Sequence, residues 1–131
     1  MSTAQRLSQI FGIVFVIVGL AGFVITGGSM DASMAAPKLL GLFPLNVMHN
    51  LVHLLFGVWG LLGARTFAGA KSYLFGAGVI YLVLALCGYF VPSGFGLVPI
   101  GGANVGLHGL LGVVLVGAAL STARGTETAT A

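Results

Sequence analysis

Apolar residues fill long uninterrupted stretches of this chain, and polar residues collect at the seams between them. A helix needs about 20 mostly apolar residues to cross the hydrocarbon core of a bilayer. Four stretches reach that length, at about Ile10–Gly27, Leu45–Ala64, Tyr73–Val91 and Asn104–Leu120. Inside them the only ionisable side chains are His, Tyr and Cys. A membrane barrel strand would alternate apolar and polar positions, and the run Ile13-Val14-Phe15-Val16-Ile17-Val18 does not. The seams carry turn formers: Gly27-Gly28-Ser29, Ala36-Pro37, Pro92-Ser93-Gly94 and Pro99-Ile100-Gly101-Gly102. The pattern predicts an all-α fold, a four-helix transmembrane bundle forming one domain over residues 1–120. A disordered cytoplasmic tail is expected over residues 121–131, where Thr and Ala dominate.

Composition narrows the class further. Of 131 residues, 58% are apolar and only seven are charged, five basic and two acidic. Mean hydropathy is +1.13, whereas about a quarter of the residues of a soluble domain are charged. A water-soluble enzyme, a nucleic-acid binder and a disordered segment are all excluded. The net charge of +3 comes from scattered residues, so it marks no basic patch. The single Cys87 excludes an internal disulfide. Arg6 before the first apolar run and Ser33-Met34-Ala35-Ala36 after it resemble a secretory signal. Pro37 directly after that site, and the length of the run, argue for a retained span instead.

Short-loop Lys and Arg set orientation. Arg6, Arg65, Lys71 and Arg124 share one side, while Lys38, with Asp31 close by, stands on the other. Both termini are therefore expected in the cytoplasm, with the chain multi-pass in a bacterial inner membrane. Trp59 and Tyr73 fall towards the inner boundary and Tyr89 towards the outer one, as lipid anchors do.

The chain also repeats itself. Gly41-Leu42-Phe43-Pro44-Leu45 aligns with Gly96-Leu97-Val98-Pro99-Ile100, and the register continues without a gap. His49 meets Asn104, His53 meets His108, Gly57 meets Gly112 and Val58 meets Val113. The first and third spans match more weakly, Ala21-Gly22-Phe23-Val24 against Cys87-Gly88-Tyr89-Phe90. Two direct repeats of a helical hairpin, with the same orientation, imply a pseudo-twofold axis along the bilayer normal. The second and fourth helices are then equivalent, diagonal or facing across the bundle.

At helical spacing, Asn46, His49, Asn50, His53, Gly57, Gly60 and Ala64 fall on one face of the second span. Asn104, His108, Leu111, Gly112 and Leu115 do the same on the fourth. Both stripes are expected to face the interior, since unpaired polar groups do not face lipid. His49 and His53 lie about 6 and 12 Å below the outer surface, with His108 and Cys87 each about one turn in.

Three uses of this cluster are open from sequence. The first is a polar network in which the histidines pair with Asn46, Asn50, Asn104 or backbone carbonyls and lock the helices together. The second is a haem or bacteriochlorophyll-type pigment, with His53 and His108 as axial ligands and His49 as a further candidate. The third is a zinc or copper site from His49, His53, His108 and Cys87. No carboxylate stands nearby as a base, and no broken helix or inner polar group completes a transport route.

The block Pro44-Leu45-Asn46-Val47-Met48-His49-Asn50-Leu51-Val52-His53 has the form P-L-N-x-x-H-N-x-x-H. With Gly78–Ala85 and Val105–Gly112 it resembles a bacterial family of small four-helix membrane proteins known only as a domain of unknown function. The resemblance runs over roughly residues 5–120 and implies a four-span bundle. Such proteins often carry an acidic residue near the start of the fourth helix, where this chain has Asn104. The expected role is non-enzymatic, an accessory or scaffold subunit of a larger membrane complex. Its partners would be the lipid bilayer and other membrane subunits or a second copy, with no nucleic acid and no soluble substrate. Gly60-x-x-x-Ala64 and Gly117-x-x-x-Ser121 suit close helix packing, internal or external.

Overall fold

Ser2 opens the first helix with a capping box: its hydroxyl accepts from the Gln5 N–H while the Gln5 side chain accepts from the Ser2 N–H. The helix, α1, runs Thr3–Thr26 and ends where Gly27 turns out of helical geometry. In this computed structural model, which describes residues 1–123, three more helices follow. They are α2 (Val47–Gly63), α3 (Phe67–Phe90) and α4 (Ala103–Ser121). A two-residue antiparallel ribbon, β1 (Lys38–Leu39) with β2 (Phe43–Pro44), lies between α1 and α2. Helices α1, α3 and α4 are each long and apolar enough to cross a membrane. The expected 20-residue second span is a 17-residue helix. Leu45 stays outside the helix, Ala64 ends it as the C-cap, and the extended Asn46 caps its start, its side chain accepting from the His49 N–H at 2.9 Å.

The chain is packed as two hairpins. α1 lies along α2 and α3 along α4; the hairpins meet through α1–α3 and α2–α3 contacts, while α2 and α4 take the far corners. Glycine permits each close pairing. A Cβ on Gly12 would come within 2.8 Å of the Leu61 nitrogen and 3.0 Å of the Gly57 oxygen. A Cβ on Gly78 would stand 2.8 Å from the Val116 nitrogen and 3.0 Å from the Gly112 oxygen. These are the same contact made twice, because Leu61 and Val116 occupy equivalent positions in the repeat. Next to the short α2–α3 connection, Gly60, Gly63 and Gly69 bring those two helices together as well.

The repeat extends through the connections. Leu45 N–H donates to Pro37 O at 2.8 Å, and Ile100 N–H to Pro92 O at 2.9 Å. Leu42 N–H donates to Leu39 O, and Leu97 N–H to Gly94 O, closing equivalent turns. Each turn holds a bulky residue and then a glycine at positive φ: Leu40 (54°) and Gly41 (70°), Phe95 (61°) and Gly96 (79°). Leu40 and Phe95 are 80% and 81% exposed. A left-handed conformation costs a non-glycine residue about 1–2 kcal/mol, and both halves of the chain carry that cost in the same place.

α4 extends to Ser121, one residue past the predicted span. Thr122 is buried, and its carbonyl accepts from Lys71 Nζ at 2.7 Å. The ordered chain therefore outlasts the predicted start of the tail; residues 124–131, Arg124 among them, lie outside the described residues.

Overpacking a close backbone contact costs about 1–3 kcal/mol. Gly57→Ala and Gly112→Ala are each expected to destabilise the bundle by about that amount in chemical unfolding from detergent. In Gly57→Ala the new Cβ meets Val16, and in Gly112→Ala it meets Leu82. Gly117→Ala, whose Cβ meets nothing within 4 Å, is expected to change stability little.

Candidate functional site

The polar stripe of α2 faces inward along its whole length: Asn46, His49, Asn50, His53, Gly57, Gly60 and Ala64 are all buried. On α4, Asn104, His108, Gly112 and Leu115 are buried, with Leu111 partly so. The two stripes are joined through the loops at the end of the bundle opposite the termini. Asn46 Nδ2 donates to Leu97 O at 2.9 Å, from the first hairpin to the second. Asn104 Nδ2 donates back to Pro44 O at 2.9 Å and to Pro99 O at 3.0 Å. His49, the repeat equivalent of Asn104, faces the same two carbonyls. Pro44 and Pro99 are themselves equivalents, so an amide and an imidazole meet one symmetric pair of acceptors.

The rings form a continuous group. His49 and His53 have centroids 4.6 Å apart, and His49 and His108 5.7 Å apart. His53 stacks on Phe15 at 6.0 Å, Phe15 on Tyr81 at 5.5 Å with planes 8° apart, and Tyr81 meets His108 at 5.2 Å. Phe15 and Tyr81 are equivalents under the shift that brings Gly12 onto Gly78. The row His53–Phe15–Tyr81–His108 thus crosses the pseudo-twofold with like residues in like places. Phe15 and Tyr81 were not singled out from sequence. The Gly22/Gly88 match carries the needed register, but apolar residues on either side obscure it.

A cavity of about 230 Å³ opens beside this row, between α2 and α3 and under the Gly94–Ile100 loop. His49, His53 and His108 line it, with Tyr81 and Cys87, so the structure gathers every histidine and the cysteine on one space. The three histidines are 4%, 8% and 2% exposed. The Nδ1 atom of each is enclosed without a hydrogen-bond partner.

This geometry corrects part of the sequence reading. The histidine side chains do not pair with Asn46, Asn50 or Asn104. The amides of Asn46 and Asn104 go to loop carbonyls, and Asn50 Nδ2 donates to Thr26 Oγ1 at 2.9 Å. Loop carbonyls have no ladder to join and take the strongest donors in reach. No group of three His, Cys, Asp or Glu side chains among the described residues is arranged to hold a metal ion. For the haem or bacteriochlorophyll-type reading the structure gives a cavity of about 230 Å³, where pockets for drug-sized ligands run about 300–1,000 Å³. His53 and His108 each adjoin His49 and a ring of the aromatic row.

Removing the crossing amides tests the clamp. Asn104→Ala leaves the Pro44 and Pro99 carbonyls short of a donor, and Asn46→Ala does so for Leu97 while uncapping α2. Each is expected to cost about 1–3 kcal/mol, measured by unfolding in detergent. Asn104→His, which repeats the residue of the other half, is expected to recover part of the loss.

No curated protein and no solved structure matches the chain. Over residues 5–121 it matches the family described as "Domain of unknown function (DUF4383)". A membrane-type bundle of two equivalent hairpins, matched over nearly its whole length, belongs to that family of unknown function.

Proposed function

We propose that this chain is a non-enzymatic integral membrane protein that holds a small, neutral, membrane-soluble molecule between its two hairpins. One observation carries the reading: three buried imidazoles with unpartnered Nδ1 atoms line a single cavity. An unsatisfied buried polar group costs about 1–3 kcal/mol, and three on one small space are hard to explain by packing alone. A bound apolar molecule that fills the cavity gains contact with the imidazole rings, Val52, Leu84 and Val98. Asp31, in the α1–α2 connection, is the one carboxylate among the described residues, so the cavity has no carboxylate to serve as general acid or base. Arg6, Arg65 and Lys71 lie at the end of the bundle that carries the termini. By the bias of basic residues to the cytoplasmic side, the cavity belongs to the outer leaflet of the inner membrane.

A second observation supports the accessory-subunit role beside this one. Gly60 is used internally, against Tyr73 and Gly12, but Gly106 and Gly117 on α4 look outward with nothing within 4 Å. A partner helix could approach closely along that face.

The first reading is tested on protein purified in mild detergent, by organic extraction and mass spectrometry. A small molecule at about one per chain is expected, and Leu84→Trp, which fills the cavity from α3, is expected to lose it while keeping native helicity. Only bulk lipid, or equal recovery from Leu84→Trp, overturns the reading. For the second, Gly117→Leu is expected to abolish co-purification of a membrane partner while leaving the bundle folded.

A further inference from the structure

We propose that the α1–α2 and α3–α4 connections dock into the interfacial layer of the bilayer. Leu40 and Leu42 of one, and Phe95 and Leu97 of the other, sit among the lipid headgroups and upper acyl chains at that end of the bundle. This holds whether or not the cavity is filled.

Side-chain placement comes first. Leu40, Leu42, Phe95 and Leu97 are all exposed, and they form two equivalent pairs under the repeat. Leu40 and Phe95 stand at positive φ, a conformation that costs a non-glycine residue free energy. At their exposure neither recovers that cost by packing within the chain. The strained turn keeps a large apolar side chain turned outward in both halves, and taking such a side chain out of water outweighs the strain.

The backbone comes next. An irregular segment tolerates an apolar medium only where its N–H and C=O groups are paired. In the second connection Gly94 N–H donates to Val91 O, Gly96 N–H to Ser93 O and Leu97 N–H to Gly94 O, while Ile100 and Gly101 N–H both donate to Pro92 O. Leu97 O and Pro99 O accept from the side chains of Asn46 and Asn104. The first connection closes in the same way, through the β1–β2 ribbon, Leu42 N–H to Leu39 O and Leu45 N–H to Pro37 O. The two asparagines also hold the turns down near the starts of α2 and α4.

The surroundings of the tips name the occupant. The lipid-facing surface of the spans reaches this end of the bundle, where Val24, Tyr89 and Phe90 are exposed in the last turns of α1 and α3, and the tips continue it. Residues 91–102 carry no charge, so that connection offers a soluble partner no ion pair. Exposed Lys38, two residues before Leu40, has a flexible stem that reaches lipid phosphates, and Tyr89 is an aromatic of the kind that anchors at the interface. Phe95 and Leu97 also line the cavity, so the loop that meets lipid is its roof.

Tryptophan placed on the tips reports what covers them. In the full chain carrying Trp59→Phe, which removes the native indole, Leu40→Trp and Phe95→Trp are made singly, with Asp31→Trp as the exposed polar reference. Each is reconstituted in phosphatidylcholine vesicles with iodide on both sides of the membrane, and circular dichroism checks helix content. The tips are equivalent, so either one, folded, decides. Both are expected to show blue-shifted emission and strong quenching by lipid brominated near the headgroup, with weaker quenching by lipid brominated at the chain ends. Iodide quenching is expected several-fold below that of the reference. Iodide quenching equal to the reference puts the tips in water and overturns the proposal. Resistance to both iodide and brominated lipid means that a second copy of the chain covers them, and overturns it as well.

Discussion

No water pairs with a polar group inside a bundle whose outer surface meets hydrocarbon, so each such group must find its partner within the chain. Asn46, Asn104 and the loop carbonyls meet that constraint by crossing between hairpins, whereas Asn50 donates within its own hairpin to Thr26. Asn46 reaches Leu97, Asn104 reaches Pro44, and the Pro44–Pro99 pair sits where both halves can address it. At the opposite end Ser8 Oγ donates to Gly60 O at 2.7 Å, and Lys71 reaches Thr122 O. The hairpins are therefore tied to each other by hydrogen bonds at the loop end, while at the opposite end and along their length hydrogen bonds and glycine contacts close each hairpin on itself. Remove the need to satisfy those loop carbonyls and little fixes α2 against α4, which do not pack side by side.

Duplication explains how so small a chain meets the demand twice. The Gly12–Gly57 and Gly78–Gly112 contacts, the paired turns at Leu40 and Phe95, and the Pro37–Leu45 and Pro92–Ile100 bonds are one solution used in both halves. Equal strain at Leu40 and Phe95 fits a surface where an apolar side chain is welcome, as in the interfacial layer of a bilayer. In water, two bulky residues about 80% exposed on strained backbone would gain nothing for their cost.

Much of this was legible in the residues and some was not. The α2/α4 register was readable because Pro44, His53 and Gly57 recur as Pro99, His108 and Gly112, residue types that stand out in an apolar chain. The inward stripe followed from helical spacing and the cost of a polar group in lipid. The α1/α3 register was faint, because Phe15 opposite Tyr81 is one aromatic among many apolar residues, and so the stacked row escaped notice. Hydrogen-bond partners were out of reach for another reason. Asn104 reaches Pro44 across 60 positions of chain, and where a loop carbonyl points depends on turns at Leu40 and Phe95 that propensity disfavours. The length of α2 was misjudged because apolarity alone does not show that Leu45 and the capping residues Asn46 and Ala64 lie outside the helix.

A symmetric bundle need not hold a symmetric site. The direct link through residues 64–66 pulls α2 onto α3 at one end, with Gly60, Gly63 and Gly69 allowing the contact, whereas α1 and α4 touch only slightly. Two helices held together at one end leave room between them at the other, and the cavity lies there, between His49, Val52 and His53 of α2 and Tyr81, Leu84 and Cys87 of α3. The departures of one half from the other, His49 for Asn104 and Tyr81 for Phe15, fall on this same space. Symmetry supplies the frame and the rows of rings. The connection between the repeats breaks that symmetry, and the polar substitutions lie in the space the break creates.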